Sequence, residues 1–263
     1  MEIIAHRGVH NNPREENTVY AFARAVASDC PMIELDCRTA KDGKLIVNHD
    51  SGILFCGKHI PIDINNCADL VRENIVVNEI KDHRLDIYKP PTLDLVLKLF
   101  SHQIKINIEL KDENSGEAFC KLLEKKKQSG EQIFLERLVV SSFTLGEVEK
   151  VKRRFPQLEA GLLRGGLRFR LQSPKFMLGF LKSFNFQAIH LDIERATKKN
   201  VKYFKDKGFK VRVYIVNDPK LLQGYINWGV DGIFTDKAPE FLKAQKELFL
   251  LPKYVRIKKN FWS

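Results

Sequence analysis

Met32-Ile33-Glu34-Leu35-Asp36-Cys37-Arg38-Thr39-Ala40-Lys41-Asp42-Gly43-Lys44-Leu45-Ile46-Val47-Asn48-His49-Asp50 is the stretch on which the fold turns. Residues 33–37 alternate apolar and acidic side chains, the pattern of a strand in which Glu34 and Asp36 share one face. A second strand-like run, 44–49, begins after only Arg38-Thr39-Ala40-Lys41-Asp42-Gly43, a turn-forming stretch. A parallel neighbour would need a crossover of about a dozen residues or more. The second run therefore returns antiparallel, as a hairpin that rises above the first strand and comes back toward it.

With that hairpin set aside, eight strand-like runs remain: 3–6, 32–37, 104–110, 138–143, 159–163, 188–192, 211–216 and 232–235. Helical patterns lie between them. Val19, Phe22, Ala23 and Val26 fall at i, i+3, i+4, i+7, as do Leu93, Val96, Leu97 and Phe100. Further helical stretches cover 118–127, 145–154, 198–207, 219–228 and 239–249, and Gly208 and Gly229 stand as stops after two of them. Eight βα units predict an α/β fold, a single (β/α)8 TIM barrel with a β-hairpin after strand two; an open doubly wound sheet is the runner-up. Residues 51–90 have no clean period and read as a small insertion before helix two, an excursion over one barrel face. Residues 164–185 mix Arg and Lys with Phe, Met and Leu, and read as a packed helix five that turns its charges outward. No linker or repeat divides the chain, so residues 1–263 read as one domain, with a basic C-terminal tail over about 250–263.

Lys and Arg number 44 against 33 Asp and Glu, a formal net charge of +11, which points to a phosphate-bearing partner. A hydrophobic share of 44% and a charged share of 29% are those of a globular chain rather than a disordered one. No apolar run approaches the roughly 18 residues that span a bilayer. The start, Met1-Glu2-Ile3-Ile4-Ala5-His6, has no basic leader or cleavage site. Five cysteines, with no CxxC pair, disfavour a disulfide framework or a thiolate zinc site, and the expectation is a reduced, cytoplasmic protein.

In a barrel, the strand C-terminal ends face the active site. Strand one ends in His6-Arg7-Gly8, strand two carries Glu34 and Asp36, the hairpin returns His49-Asp50, and strand three carries Glu109 and Lys111. Three carboxylates with no nearby thiol suit one hard divalent cation, Mg²⁺ or Ca²⁺. Two histidines on different segments suit general acid and base work near neutral pH. Arg7 and Lys111 offer charge to phosphate oxygens. Each short motif alone is ordinary strand-end or turn chemistry; their order and position make the site. Of the other histidines, His10, His59, His83 and His102 stand outside the constellation, and His190, on strand six, is the one placed to reach the mouth.

These residues resemble the glycerophosphodiester phosphodiesterases, in particular the short cytosolic bacterial type. The likeness runs through Ile4-Ala5-His6-Arg7-Gly8, Glu16-Asn17-Thr18, Ile33-Glu34-Leu35-Asp36 and the stretch from Thr39 to Asp50. It continues in Pro91-Thr92-Leu93, Ile108-Glu109-Leu110-Lys111, Ser141-Ser142-Phe143, the stretch from Val213 to Asp218 and that from Gly229 to Asp236. The resemblance implies a barrel enzyme that hydrolyses glycerophosphodiesters to glycerol 3-phosphate and an alcohol. It implies Glu34, Asp36 and Glu109 as metal ligands, His6 and His49 as acid and base in an order left open, and Arg7 and Lys111 on the phosphate. It further implies attack by the substrate's own glycerol 2-hydroxyl, giving a cyclic phosphate that water opens. The chain departs from the family at Ser51-Gly52-Ile53-Leu54-Phe55-Cys56-Gly57, where a Leu-x-Arg-Thr-like stretch is usual, and at Tyr214, where Trp is frequent. Glu16 and Asn17 read as caps of helix one.

Two other readings compete. A lysophospholipase D or phospholipase C-like barrel would use the same chemistry on lipid, with 164–185 as its apolar surface; the packed helix instead predicts a small diester substrate and, at most, weak peripheral lipid contact. A pseudoenzyme binding anionic lipid or nucleic acid would need a broken constellation, and none of its core residues is missing. The tail is the one faintly nucleic-acid-like stretch and reads as solvated, so no nucleic-acid partner is expected.

Overall fold

A computed structural model describes residues 1–55, 58–71, 89–165 and 173–250. The barrel strands are β1 (Glu2–Ala5), β2 (Met32–Thr39), β6 (Lys105–Leu110), β7 (Leu138–Ser142), β8 (Glu159–Arg164), β9 (Ala188–Asp192), β10 (Lys210–Tyr214) and β11 (Gly232–Thr235). Each pairs in parallel with the next in this order, and β1 pairs with both β11 and β2, which closes the ring. Helices follow the barrel strands in turn: α1 (Val19–Ala27), α3 (Leu93–Phe100), α4 (Ser115–Gln128), α5 (Leu145–Arg154), α6 (Pro174–Ser183), α7 (Lys198–Lys205), α8 (Leu222–Trp228) and α9 (Ala238–Leu250). This is the (β/α)8 architecture, and the open-sheet alternative is excluded by the β1–β2 pairing.

The hairpin forms as its turn chemistry dictates. β3 (Leu45–Val47) lies antiparallel to the end of β2, with Cys37 opposite Val47 and Thr39 opposite Leu45. The Asn48 amide donates to the Asp36 carbonyl at 3.0 Å, so the chain re-enters beside Asp36 just before His49. The insertion contributes a second hairpin, β4 (Gly52–Phe55) with β5 (Lys58–Pro61), and a short α2 (Cys67–Val71). Ile46, Ile62, Cys67 and Leu70 form a small core beneath it, separate from the main one. The insertion's segment 72–88, with His83, lies outside the described residues, as do residues 166–172 and the tail from 251.

Strand alternation sorts side chains into two cores. Ile3, Ile33, Leu35, Ile106, Val140 and Val213 face the helices. Ile4, Met32, Val139 and Phe234 fill the barrel interior. Below that interior layer, fully buried Arg212 donates to Glu2 at 3.0 Å and to Glu159 at 2.7 Å, closing the floor with an ion cluster. Helix ends follow local rules: Thr18, Thr92, Ser173 and Thr197 cap α1, α3, α6 and α7, and Gly229 ends α8 at φ +81°, a left-handed conformation that glycine adopts without strain. α6 buries Met177, Leu178 and Leu181 and leaves Phe176 exposed, with Phe180 half-buried against the main core. None of the described helices is long and apolar enough to cross a membrane. Cys30, Cys37, Cys67 and Cys120 are buried free thiols.

Candidate active site

The inward residues at the C-terminal ends of β1, β2 and β6 converge. His6 follows β1, Glu34 and Asp36 sit on β2, and Glu109 sits on β6, where Asp36 and Glu109 are register partners. Oxygen atoms of Glu34, Asp36 and Glu109 all lie within 4.8 Å of one another, and the three residues are buried. A cavity of about 170 Å³ opens over them, bordered by His6, Arg7, His49, Lys111, Phe143 and Tyr214. All seven residues expected from the sequence therefore meet at one mouth, with Asp36 set behind its wall. A wider groove of about 700 Å³ between the β2–β3 turn and α4 contains none of the seven. Chemistry rather than volume locates the site.

Electrostatics within the cluster is uneven. Asp36 draws both cations: Arg7 Nε lies 3.1 Å from its Oδ2 and Lys111 Nζ 3.3 Å from its Oδ1. Although burial opposes ionisation, Lys111 and Arg7 hold the Asp36 carboxyl below the usual range. Glu34 is left with the residual repulsion, and burial followed by the Asp36 charge pushes it up to about 8. Glu109 is also raised, by burial and then by Asp36, despite its 2.7 Å bond from Lys111 Nζ. Three clustered carboxylates thus face two cations. That surplus of buried negative charge, on hard oxygen donors, fits a divalent cation.

The two histidines occupy different surroundings. His6 is partly buried, with Nδ1 2.6 Å from Asp236 Oδ1 and Nε2 3.9 Å from Glu34 Oε2. Burial lowers its pKa, but the Asp236 bond and the Glu34 charge outweigh that, and the net shift is upward. His49 stands at the rim with 43% of its side chain exposed; its Nδ1 is 2.8 Å from Asp50 Oδ1, and its carbonyl accepts from Arg38 Nε at 2.8 Å.

Two expectations are corrected here. Glu16 and Asn17 do not cap α1, because Thr18 already does so through its bond from the Ala21 amide. Glu16 instead accepts from Arg7 Nη1 at 2.6 Å, and Asn17, at φ +59°, donates to Asp36 Oδ2 at 2.9 Å and accepts from the Asp36 amide at 3.2 Å. The preference for Thr directly before the first helical residue already pointed to Thr18. His190 does not reach the mouth: it lies fully buried beside the floor, 3.4 Å from Arg212 Nη1, and burial with that charge keeps its pKa well below the ordinary value. The histidine nearer the site is His10, whose Nε2 is 3.9 Å from Asp236. Sequence reasoning also passed over Asp236, Asn217 and the Asn107–Ser141 pair (2.9 Å) as site residues. Asp236 was visible as a polar residue just after the last strand.

Comparison with known proteins agrees with this geometry. A profile of the Glycerophosphoryl diester phosphodiesterase family matches residues 6–240. A glycerophosphodiester phosphodiesterase of Bacillus altitudinis is 31% identical over 260 residues, covering 94% of this chain and 99% of the relative. One from Caldanaerobacter subterraneus subsp. tengcongensis is 31% identical over 251 residues, covering 91% and 95%. A phosphodiesterase of Oleispira antarctica, solved in complex with the product sn-glycerol-3-phosphate, superposes with a TM-score of 0.76 at 21% identity, covering 94% of this chain and 97% of that one; at that identity the likeness speaks for the fold alone. From the order of the site residues, the closed barrel and a profile match along most of its length, the chain belongs to the glycerophosphoryl diester phosphodiesterase family.

Proposed function

We propose that the chain hydrolyses glycerophosphodiesters to glycerol 3-phosphate and a free alcohol, acting as one domain in a cytoplasmic setting. The observation that carries this reading is the convergence of His6, His49 and three clustered carboxylates on one small cavity at the C-terminal barrel face. Family membership supports the same reaction class. The four buried free thiols accord with a reducing compartment.

Glu34, Asp36 and Glu109 would hold one cation, Mg²⁺ or Ca²⁺. When bound, it supplies positive charge that polarises a phosphoryl oxygen and eases ionisation of a nearby hydroxyl. The remaining work falls to the protein. Arg7 and Lys111 border the cavity and turn positive charge toward the phosphate while balancing Asp36. One histidine, neutral, takes the proton of the attacking glycerol 2-hydroxyl; the other, protonated, gives a proton to the departing alcohol oxygen. The roles then reverse as water opens the cyclic phosphate. Phe143 and Tyr214, ring centroids 6.1 Å apart, wall the far side and keep the cavity small.

A panel of glycerophosphodiesters and lysophospholipids, assayed for glycerol 3-phosphate release, tests the reading. Release from glycerophosphocholine or glycerophosphoethanolamine is expected, lost in excess chelator and restored by Mg²⁺ or Ca²⁺. Full turnover in chelator after dialysis refutes the metal assignment, and faster cleavage of lysophospholipid refutes the small-diester assignment.

A further inference from the structure

We propose that Asp236, itself locked by Asn217, is the positioning residue that sets the tautomer and ring orientation of His6. The inference rests on the reading of His6 as an acid–base group and adds a role for two residues contributed by the opposite end of the chain.

The geometry is closed on every side. His6 leaves β1 with its amide bonded to the Thr235 carbonyl at 3.1 Å, which places its ring beside residue 236 of the neighbouring strand end. Asp236 Oδ1 lies 2.6 Å from His6 Nδ1. Asp236 Oδ2 accepts from Asn217 Nδ2 at 2.6 Å. Asn217 in turn has its Oδ1 engaged by the Asp236 amide at 2.9 Å and by Thr235 Oγ1 at 3.1 Å, which fixes which end of the amide faces the carboxylate. His10 Nε2, at 3.9 Å, is too distant to compete for Oδ1. Both carboxylate oxygens are therefore occupied by side chains. The residue that leads into α9 is tied down separately, through Thr235 Oγ1 accepting from the Lys237 amide at 3.1 Å. A helix cap does not explain Asp236.

The chemistry follows from what each group can donate. An ionised carboxylate only accepts, so the proton between the pair resides on His6 Nδ1. His6 bonding holds the Asp236 carboxyl at about 2 against the effect of burial, in keeping with that assignment. Neutral His6 then presents a lone pair at Nε2, on the side that faces Glu34 and the cavity. When Nε2 gains a proton, the imidazolium charge stands beside a carboxylate that cannot turn away. His49 is differently held: its partner Asp50 is 78% exposed and adjacent in the chain.

Asp236→Asn turns the arrangement against the enzyme. Asn217 Nδ2 continues to donate toward position 236 and selects the carbonyl end of the new amide, leaving its NH₂ toward His6 Nδ1. That NH₂ can only donate, so His6 is driven to the Nε2–H tautomer and loses its lone pair toward the cavity. The expected loss in kcat is about 10²–10⁴-fold, the range for losing a general acid–base group, with KM within about threefold and a melting temperature close to the parent's. Asp236→Ala, which leaves the tautomer free, should lose less than Asp236→Asn, and Asn217→Ala less again. Long-range ¹H–¹⁵N NMR of the His6 ring, in its neutral form, should report Nδ1–H in the parent and Nε2–H in Asp236→Asn. An Nε2–H tautomer in the parent, or an Asp236→Asn variant with kcat within twofold of the parent, overturns the proposal. His6→Ala with parental kcat would instead overturn the acid–base reading of His6, whatever the tautomer shows, so the two failures are told apart.

Discussion

Glu34→Gln should stabilise the protein when divalent cations are chelated and remove its response when they are restored. Glu34 is buried and meets the Arg7 amide at 3.1 Å, while the nearby side-chain cations pair elsewhere, Arg7 with Asp36 and Lys111 with Asp36 and Glu109. Its carboxyl is raised from 4.5 to about 8 by burial and then by Asp36. A carboxyl whose folded-state pKa lies above its unfolded-state value costs stability as pH rises past the unfolded-state value, because folding must then take up a proton. The cost is absent below about pH 4.5, grows as pH rises, and is complete above about pH 8. At pH 7 the chain is about 2.5 pH units into that window, and at about 1.36 kcal/mol per unit the cost is about 3 kcal/mol. Glutamine keeps the volume and an oxygen for the Arg7 amide but does not ionise. Urea unfolding in chelator should therefore show the variant about 3 kcal/mol more stable than the parent at pH 7, with the advantage gone by pH 4. Added Mg²⁺ or Ca²⁺ should stabilise the parent through binding to the folded state and leave the variant nearly unchanged. A variant no more stable than the parent at pH 7, or equally favoured at pH 4 and pH 7, would refute the charge-repulsion argument.

His6→Ala and His49→Ala should each lower kcat by ~10²–10⁴, measured as glycerol 3-phosphate release; parental kcat in either removes that histidine from the mechanism. Arg212→Ala strips the floor of its fully buried cation and leaves Glu2 to Lys105 and Glu159 to Lys210, so urea unfolding should show a loss of about 1–3 kcal/mol, while kcat per folded molecule holds. Phe176→Asp, at an exposed site, should change stability by less than about 1 kcal/mol, whereas Phe180→Asp, against the main core, should cost more; equal effects would show that α6 packs otherwise. Parent protein should float with anionic liposomes only weakly and lose them in salt, each basic side chain near the surface adding only about 1 kcal/mol; tight flotation at physiological salt would favour a membrane-seated α6.

The period of the side chains along each strand is a local property, and it was sufficient for much of this protein. Alternation in residues 33–37 put Glu34 and Asp36 on one face, and the brevity of the 38–43 turn forced β3 to return antiparallel, bringing His49 back to Asp36. Eight repeats of strand and helix were enough for the barrel, since short right-handed units leave few other closures. Period tells which face a side chain takes but not its height in the barrel, and height follows from register and stagger, which only ring closure sets. His6 and His190 both point inward, yet one stands at the mouth and the other beside the floor with Arg212. Closure likewise seats β1 against β11, so that His6 meets a carboxylate 230 positions away and, through it, Asn217. The sharing of charge is tertiary as well: composition counts three carboxylates, but only the placement of Arg7 on Asp36 and of Lys111 on Asp36 and Glu109 leaves Glu34 with the repulsion, because Coulomb energy depends on distance and burial rather than on order along the chain.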